Sequence, residues 1–341
     1  MSSYILRVPS SLNLQSSLEF IRQLRGLPQA DEYMIDFQDV RRIEPFGMLL
    51  VSSELQRCRS LLFESQFYAR NYERNTYAGH MGFFKAFGLN FGNPPGHARG
   101  SSRYLPITLH DVNTLERDAA LNHQVIGDHI EQQSESMAQI LTQTLGGNLV
   151  DTLTYCFREI IRNIIEHSQS NQFGYCAQYW PTRSWVEFAI LDRGIGIRQS
   201  LSRNPYLQIS SDRDAINLSL MPGISGTTFG NTRPQSRDIW TNTGFGLFMT
   251  SRLCGFGGSF FIASGSSALY LTPANRHYFD TDIHGTALRL CLKIDAIDAI
   301  NQTLSRLRQE GRQMATNYGR GAVVDASVAS TMLRNDFGSS F

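Results

Sequence analysis

The chain reads as α/β, built from two domains. Three observations carry that reading: its 341 residues suffice for two ordinary domains, short apolar runs with strand character alternate with segments of helical periodicity in both halves, and Pro/Gly/Ser-rich stretches separate the patterned regions. The boundaries fall at 1–111 for a small α/β domain, 112–144 for a helical segment, 145–295 for an α/β sandwich, and 296–341 for a C-terminal helix and tail.

Residues 3–9 and 33–37 (YMIDF) have strand character, and between them Leu18, Ile21 and Leu24 recur at helical spacing. In DVRRIEPFGMLLVSSELQRC, Pro45 and Gly47 mark a turn into a helix with Met48, Val51 and Leu55 on one stripe. A strand at 61–69 and a helix at 76–87 carrying Phe83, Phe84 and Phe87 continue the alternation. Pro94, Pro95, Gly96 and Gly100 predict a mobile loop, and YLPITLHD (104–111) is the strand expected to close this domain. From Leu115 to Thr144 one polar helix is expected, with Leu121, Val125, Ile130, Met137 and Leu141 as a partial stripe. It serves as a linker, a dimerisation element or the first helix of the next domain.

Helix 149–168 follows, with Leu153, Cys156, Phe157, Ile160, Ile161, Ile164 and Ile165 on its buried side. Strands at 174–180 and 185–191 flank the turn PTRS. A Gly/Ser/Asn-rich stretch spans 198–241, then a helix at 245–254, strands at 259–263, 268–272 and 285–293, and a helix at 295–308.

Composition excludes several classes. Lys plus Arg total 31 against 30 acidic residues, so no net field draws the chain to nucleic acid or an anionic membrane. No apolar run reaches the length of a membrane span. The start MSSYILRVPSSLNLQSS has no basic segment followed by a sustained apolar one, so no secretory signal is expected. Five scattered cysteines without a CxxC pair suggest buried small hydrophobes in a reducing compartment, hence a cytoplasmic protein.

Three motifs carry chemistry. REIIRNIIEHS (158–168) spaces Glu159, Asn163 and His167 four apart, along one polar helix face away from the isoleucines. There a carboxamide oxygen can ligate magnesium whose other ligands are phosphate oxygens and water, and a carboxylate one turn back can orient and deprotonate a water. The competing reading is a solvated face in which Glu159 pairs with Arg162. DRGIGI (192–197) ends a strand in Asp192, a carboxylate able to accept from an exocyclic amine, followed by glycines that let backbone approach a planar ring. An ordinary Asp-Gly hairpin turn is the alternative. In TGFGL (243–247), Gly244 and Gly246 precede a helix whose free amides suit phosphate oxygens or simply cap the helix. Neither the P-loop nor the dinucleotide fingerprint matches.

Residues 145–293 resemble the ATP-binding domain of the GHKL superfamily of gyrase B subunits, Hsp90 chaperones, sensor histidine kinases and MutL proteins. That resemblance implies a Bergerat-type α/β sandwich binding ATP and Mg2+. Glu159 takes the place of the general base, with His167 as a second catalytic candidate, and Asn163 that of the magnesium-binding asparagine. Asp192 falls on the adenine-reading residue, Gly194, Gly196 and Ile197 beside it, Gly244, Gly246 and Leu247 at the triphosphate, and Thr286 of HGTALRL on the supporting threonine. The stretch 198–241 corresponds to the ATP lid, in which Arg213, Arg233 and Arg237 either reach a terminal phosphate after closure or only solvate the loop. His123 lacks the flanking pattern of a histidine phosphoacceptor.

Residues 1–110 resemble STAS domains, except that Glu44-Pro45 replaces the Asp-Ser of their phosphorylation motif, so a scaffold or docking role is implied there. The resulting expectation is an ATP-binding regulatory protein whose Mg-dependent hydrolysis and lid closure control a regulatory protein partner, with a nucleotide-dependent homodimer compatible with the superfamily. The alternatives are a protein serine/threonine kinase of the anti-sigma-factor type and a non-catalytic ATP-binding adaptor.

Overall fold

The computed structural model describes residues 2–99, 102–226 and 246–295, together with 309–311, 313–314, 324–325 and 333. The chain is α/β and divides into two compact units. One comprises Met1–Leu109 with Gly174–Gln178 and Glu187–Leu191, and the other comprises His110–Phe173, Tyr179–Val186 and the chain from Asp192 onward.

In the first unit, β1 (Ser3–Arg7), β2 (Ser11–Leu12), α1 (Leu14–Arg25), β3 (Glu32–Asp36), β4 (Arg42–Ile43), α2 (Pro45–Leu61), β5 (Gln66–Arg70), α3 (Thr76–His80) and α4 (Phe83–Ala86) follow in order. The strands β1, β3 and β5 form a parallel sheet in the order β1-β3-β5, with Tyr4, Tyr33 and Phe67 in one row. Helices α1 and α2 pack on each other, and α2 is buried from Pro45 through Ser52, as a helix apolar around most of its circumference must be. Gly47 is required there, because a Cβ would lie 2.2 Å from the Leu12 carbonyl oxygen. The N-terminus of α2 is closed by a carboxylate: the Phe46 N–H donates to Glu187 Oε1 at 2.9 Å, and Glu187 is 1% exposed.

Four sequence expectations for this unit are corrected. The strand expected at 61–69 begins only at Gln66, because α2 runs to Leu61. The helix expected at 76–87 is two short helices, broken at Gly82 with φ +87°. The described part of the loop read as mobile is tied down, since the Asn93 N–H donates to the Gly79 carbonyl at 2.9 Å and the Gly96 N–H to the Ile107 carbonyl at 2.7 Å, while Gly100 lies outside the described residues. Finally, YLPITLHD forms β6 (Tyr104–Asp111), which is no fourth strand of the β1-β3-β5 sheet.

The second half of the chain holds α5 (Val112–Leu121), α6 (Ile126–Thr142), α7 (Asn148–Asn163), β7 (Gln172–Trp180), β8 (Trp185–Asp192), α8 (Gly196–Leu201), β9 (Leu207–Gln208), α9 (Asp212–Ser219), α10 (Gly246–Leu253), β10 (Ser259–Leu271), β11 (Arg276–Lys293) and β12 (Val324–Asp325). The largest sheet has the order β10-β11-β8-β7-β6, and β9 pairs with β12. Helix α7 places Val150, Leu153, Cys156, Phe157, Ile160 and Ile161 in the core, with α6 and α10 packed on it.

Here too the structure departs from expectation. The single helix expected from 115 to 144 breaks at Asn122–Val125, where His123 has φ +54°, and both pieces belong to the unit that contains α7. The three strands expected between 259 and 293 are two long ones, β10 and β11, whose pairing shifts register around Gly265. The helix expected at 295–308 lies, apart from Asp295, outside the described residues. All five cysteines are buried and none forms a disulfide, and burial pushes the Cys156 and Cys254 thiols up to about 12. No described helix is long and apolar enough to cross a membrane.

Candidate functional site

The three sequence motifs adjoin in the second unit. Strand β8 ends in Asp192, which is 2% exposed. Its carboxylate accepts from the Gly194 N–H at 2.8 Å. Burial pushes this carboxyl up to about 6, against the opposing effects of Gly194, Thr286 and Arg193. After Asp192 the chain turns into α8 with Gly196 at φ +76°.

The turn lies directly on the end of the asparagine-bearing helix. A Cβ on Gly194 would be 2.0 Å from the Ser168 carbonyl oxygen, and the Ile195 N–H donates to that same oxygen at 2.8 Å. No larger residue fits at Gly194 without parting the two segments. Gly285, at φ +87°, is required on β11 for a similar reason: its Cβ would stand 2.2 Å from the Asp192 carbonyl oxygen. Thus Asp192, Gly194, Gly196, Ile197 and Thr286 form one cluster fastened to the C-terminal end of the α7 segment.

Glu159 does not lie on the solvated face that the competing reading gave it. It is 6% exposed, because the start of α10 covers it: a Cβ on Gly246 would be 2.7 Å from Glu159 Cβ and 2.8 Å from its Oε2. Its Oε1 accepts from Arg158 at 3.0 Å and lies 3.8 Å from Arg162. Arg158 also faces Glu131 on α6 at 3.5 Å, and Arg162 holds Glu166 at 2.9 Å. The pairing of Glu159 with Arg162 in that competing reading is secondary to the one with Arg158.

Asn163 is half-buried at the last residue of α7, and its carboxamide makes no hydrogen bond to any described residue. His167 does not continue the α-helical register. Residues Ile164–Ser168 form a π-helical turn, so the step of four from Asn163 to His167 is not an α-helical one. Its imidazole Nε2 lies 4.0 Å from Glu166, and burial lowers its pKa while Glu166 opposes the shift. Leu247 is half-buried in the first turn of α10. Gly244, Arg233 and Arg237 lie outside the described residues.

The stretch assigned to a lid begins with ordered structure. Helices α8 and α9 pack on β10, and the Asn204 side chain donates to the Ser225 carbonyl at 2.9 Å, returning the chain to α8 before residue 227. Arg213 lies over the Tyr278 ring at 3.7 Å from its centroid. Sequence reasoning missed Ser168, Arg158 and Ser264, which join the motifs. Ser264-Gly265 interrupting a strand pattern is the one signal that pointed to a bulge there.

Among the described residues no group of three or more His, Cys, Asp and Glu is placed to hold a metal. The donors present suit a cation that keeps most of its ligands from phosphate and water, with one amide oxygen from the chain. No protein-family model, no curated protein and no solved structure matches this chain.

Proposed function

We propose that the second unit binds ATP with Mg2+ in the manner of the GHKL superfamily, hydrolyses it, and passes nucleotide occupancy to a regulatory protein partner, with the first unit as a STAS-like docking module. The observation that supports this reading is the convergence of three separate sequence motifs: Gly194 against Ser168 at one end of the asparagine-bearing helix, and Gly246 against Glu159 one turn before Asn163.

In this reading Asp192 accepts from the exocyclic amine of adenine, and the Gly194 N–H holds its carboxylate in place. The Asn163 amide oxygen, uncommitted to any described residue, is offered to the cation. Bound magnesium would neutralise charge on the phosphates. The backbone amides at the start of α10 suit phosphate oxygens. Glu159 orients and deprotonates the attacking water once its carboxylate is released from Arg158.

Calorimetric titration with Mg·ATP, paired with phosphate release, tests the proposal. Wild type binds and turns over, and Asp192→Asn loses binding. Glu159→Gln keeps affinity and loses at least about 100-fold in turnover, the range expected for removing a general base. Unchanged affinity in Asp192→Asn would falsify the adenine assignment.

A further inference from the structure

Ser264 sits where the pairing of β10 and β11 breaks. It is 3% exposed and faces Thr286 in register, but Gly265 is already paired with Ile283, so His284 and Gly285 have no opposite number on β10. A bulge of this kind re-aims side chains and is common beside functional sites. Here it turns the Ser264 hydroxyl between two backbone groups: Oγ donates to the Gly285 carbonyl at 2.8 Å and accepts from the Ile197 N–H at 3.0 Å. The first bond takes up a carbonyl that the interrupted ladder leaves over. The second fastens the first turn of α8.

Both partners belong to the cluster around Asp192. Gly285 lies against the Asp192 backbone and directly precedes Thr286, which stands opposite Ser264 in the β10–β11 register. Ile197 ends the turn that starts at Asp192. Gly196 is so close that a Cβ on it would be 2.8 Å from Ser264 Oγ. The far side of the bulge is clamped as well, since Asp212 accepts from the Ser266 N–H at 2.8 Å and from its hydroxyl at 2.7 Å. One hydroxyl therefore joins the two segments that carry Asp192 and Thr286.

We propose that Ser264 is a positioning residue for base recognition: it fixes the 194–197 turn against β11 and thereby sets a preference for adenine over guanine. This rests on the ATP-binding reading given above. Adenine presents an amine donor where guanine presents a carbonyl acceptor, so a carboxylate held in one place accepts from the first and repels the second. A turn released from β11 no longer holds that geometry, and discrimination built on a few fixed polar contacts falls with it.

Ser264→Ala removes both bonds, and Ser264→Thr retains the hydroxyl. Amide exchange of peptides spanning 192–201, followed by mass spectrometry without nucleotide, is expected to be faster in Ser264→Ala than in wild type or Ser264→Thr. ATP affinity is expected to fall about tenfold in Ser264→Ala, the scale of one lost buried hydrogen bond, with GTP affinity unchanged, so that the ATP/GTP ratio drops. Equal exchange in Ser264→Ala and Ser264→Thr overturns the positioning role, and faster exchange with an unaltered ATP/GTP ratio overturns the role in base preference. Wild type that binds neither nucleotide overturns the ATP reading, and the exchange measurement, which needs no nucleotide, still decides whether Ser264 holds the turn.

Discussion

Gly246 and Glu159 are in direct contact: a methyl group on the glycine would come within 2.7 Å of Glu159 Cβ. The start of α10 thus rests on the side chain assigned to water activation, and only hydrogen fits between them. Gly246→Ala must push either α10 or Glu159 aside. Overpacking of a filled site costs about 1–3 kcal/mol, and phosphate release is expected to fall at least about tenfold, as for a misplaced catalytic group. Melting curves and turnover measured together check this. Wild-type turnover in the alanine variant would mean that the contact has no part in catalysis.

The buried Asp192 makes a pH prediction with a definite sign. Its carboxyl is raised in the folded protein to about 6 from 3.8, so the folded state holds its proton more tightly than the unfolded chain does. Stability associated with this group is present at low pH and is lost as pH rises from about 4 through about 6. Two units correspond to roughly 3 kcal/mol. Asp192→Asn, which keeps an acceptor for the Gly194 N–H, is expected to be more stable than wild type at pH 7, with the gain vanishing below about pH 4. Denaturant titrations of both proteins across that range decide it, and a pH-independent difference would contradict the assignment.

A related expectation concerns ligand affinity. The amine of adenine favours the ionised carboxylate, so Mg·ATP affinity of wild type should weaken as pH falls below about 6. Calorimetry at pH 7.5 and pH 5 is sufficient, taking each as about one unit or more away from the midpoint.

Asn163 separates metal binding from folding. Its amide is half-buried and bonded to no described residue, so Asn163→Ala is expected to change stability by less than about 0.5 kcal/mol and to abolish the magnesium-dependent part of ATP affinity. Titrations with and without Mg2+ give the answer. A large loss of stability in this variant would assign Asn163 to the scaffold instead.

Glu187 is expected to matter only for the fold of the first unit. It accepts from the Phe46 N–H at the start of α2, in a place with 1% exposure. Glu187→Ala removes that acceptor, and a destabilisation of about 1–3 kcal/mol is expected from unfolding in urea. Nothing in the sequence pointed to this bond, which spans 141 positions.

The local patterns of the chain were legible where one face meets the core. The isoleucine stripe of α7, the strand ending in Asp192 and the glycine that opens α10 are all written in short-range periodicity and turn chemistry, because burial on one face imposes a period of 3.6 or 2. The sequence alone therefore determined the α/β class and the residues of the candidate site. It did not determine the surroundings of those residues. That the start of α10 covers Glu159, and that Ser264 joins the Asp192 turn to β11, both depend on segments far apart in the chain. Tertiary structure alone decides such contacts, because whether a polar side chain faces water or a neighbour depends on what packs over it, and periodicity carries no record of that.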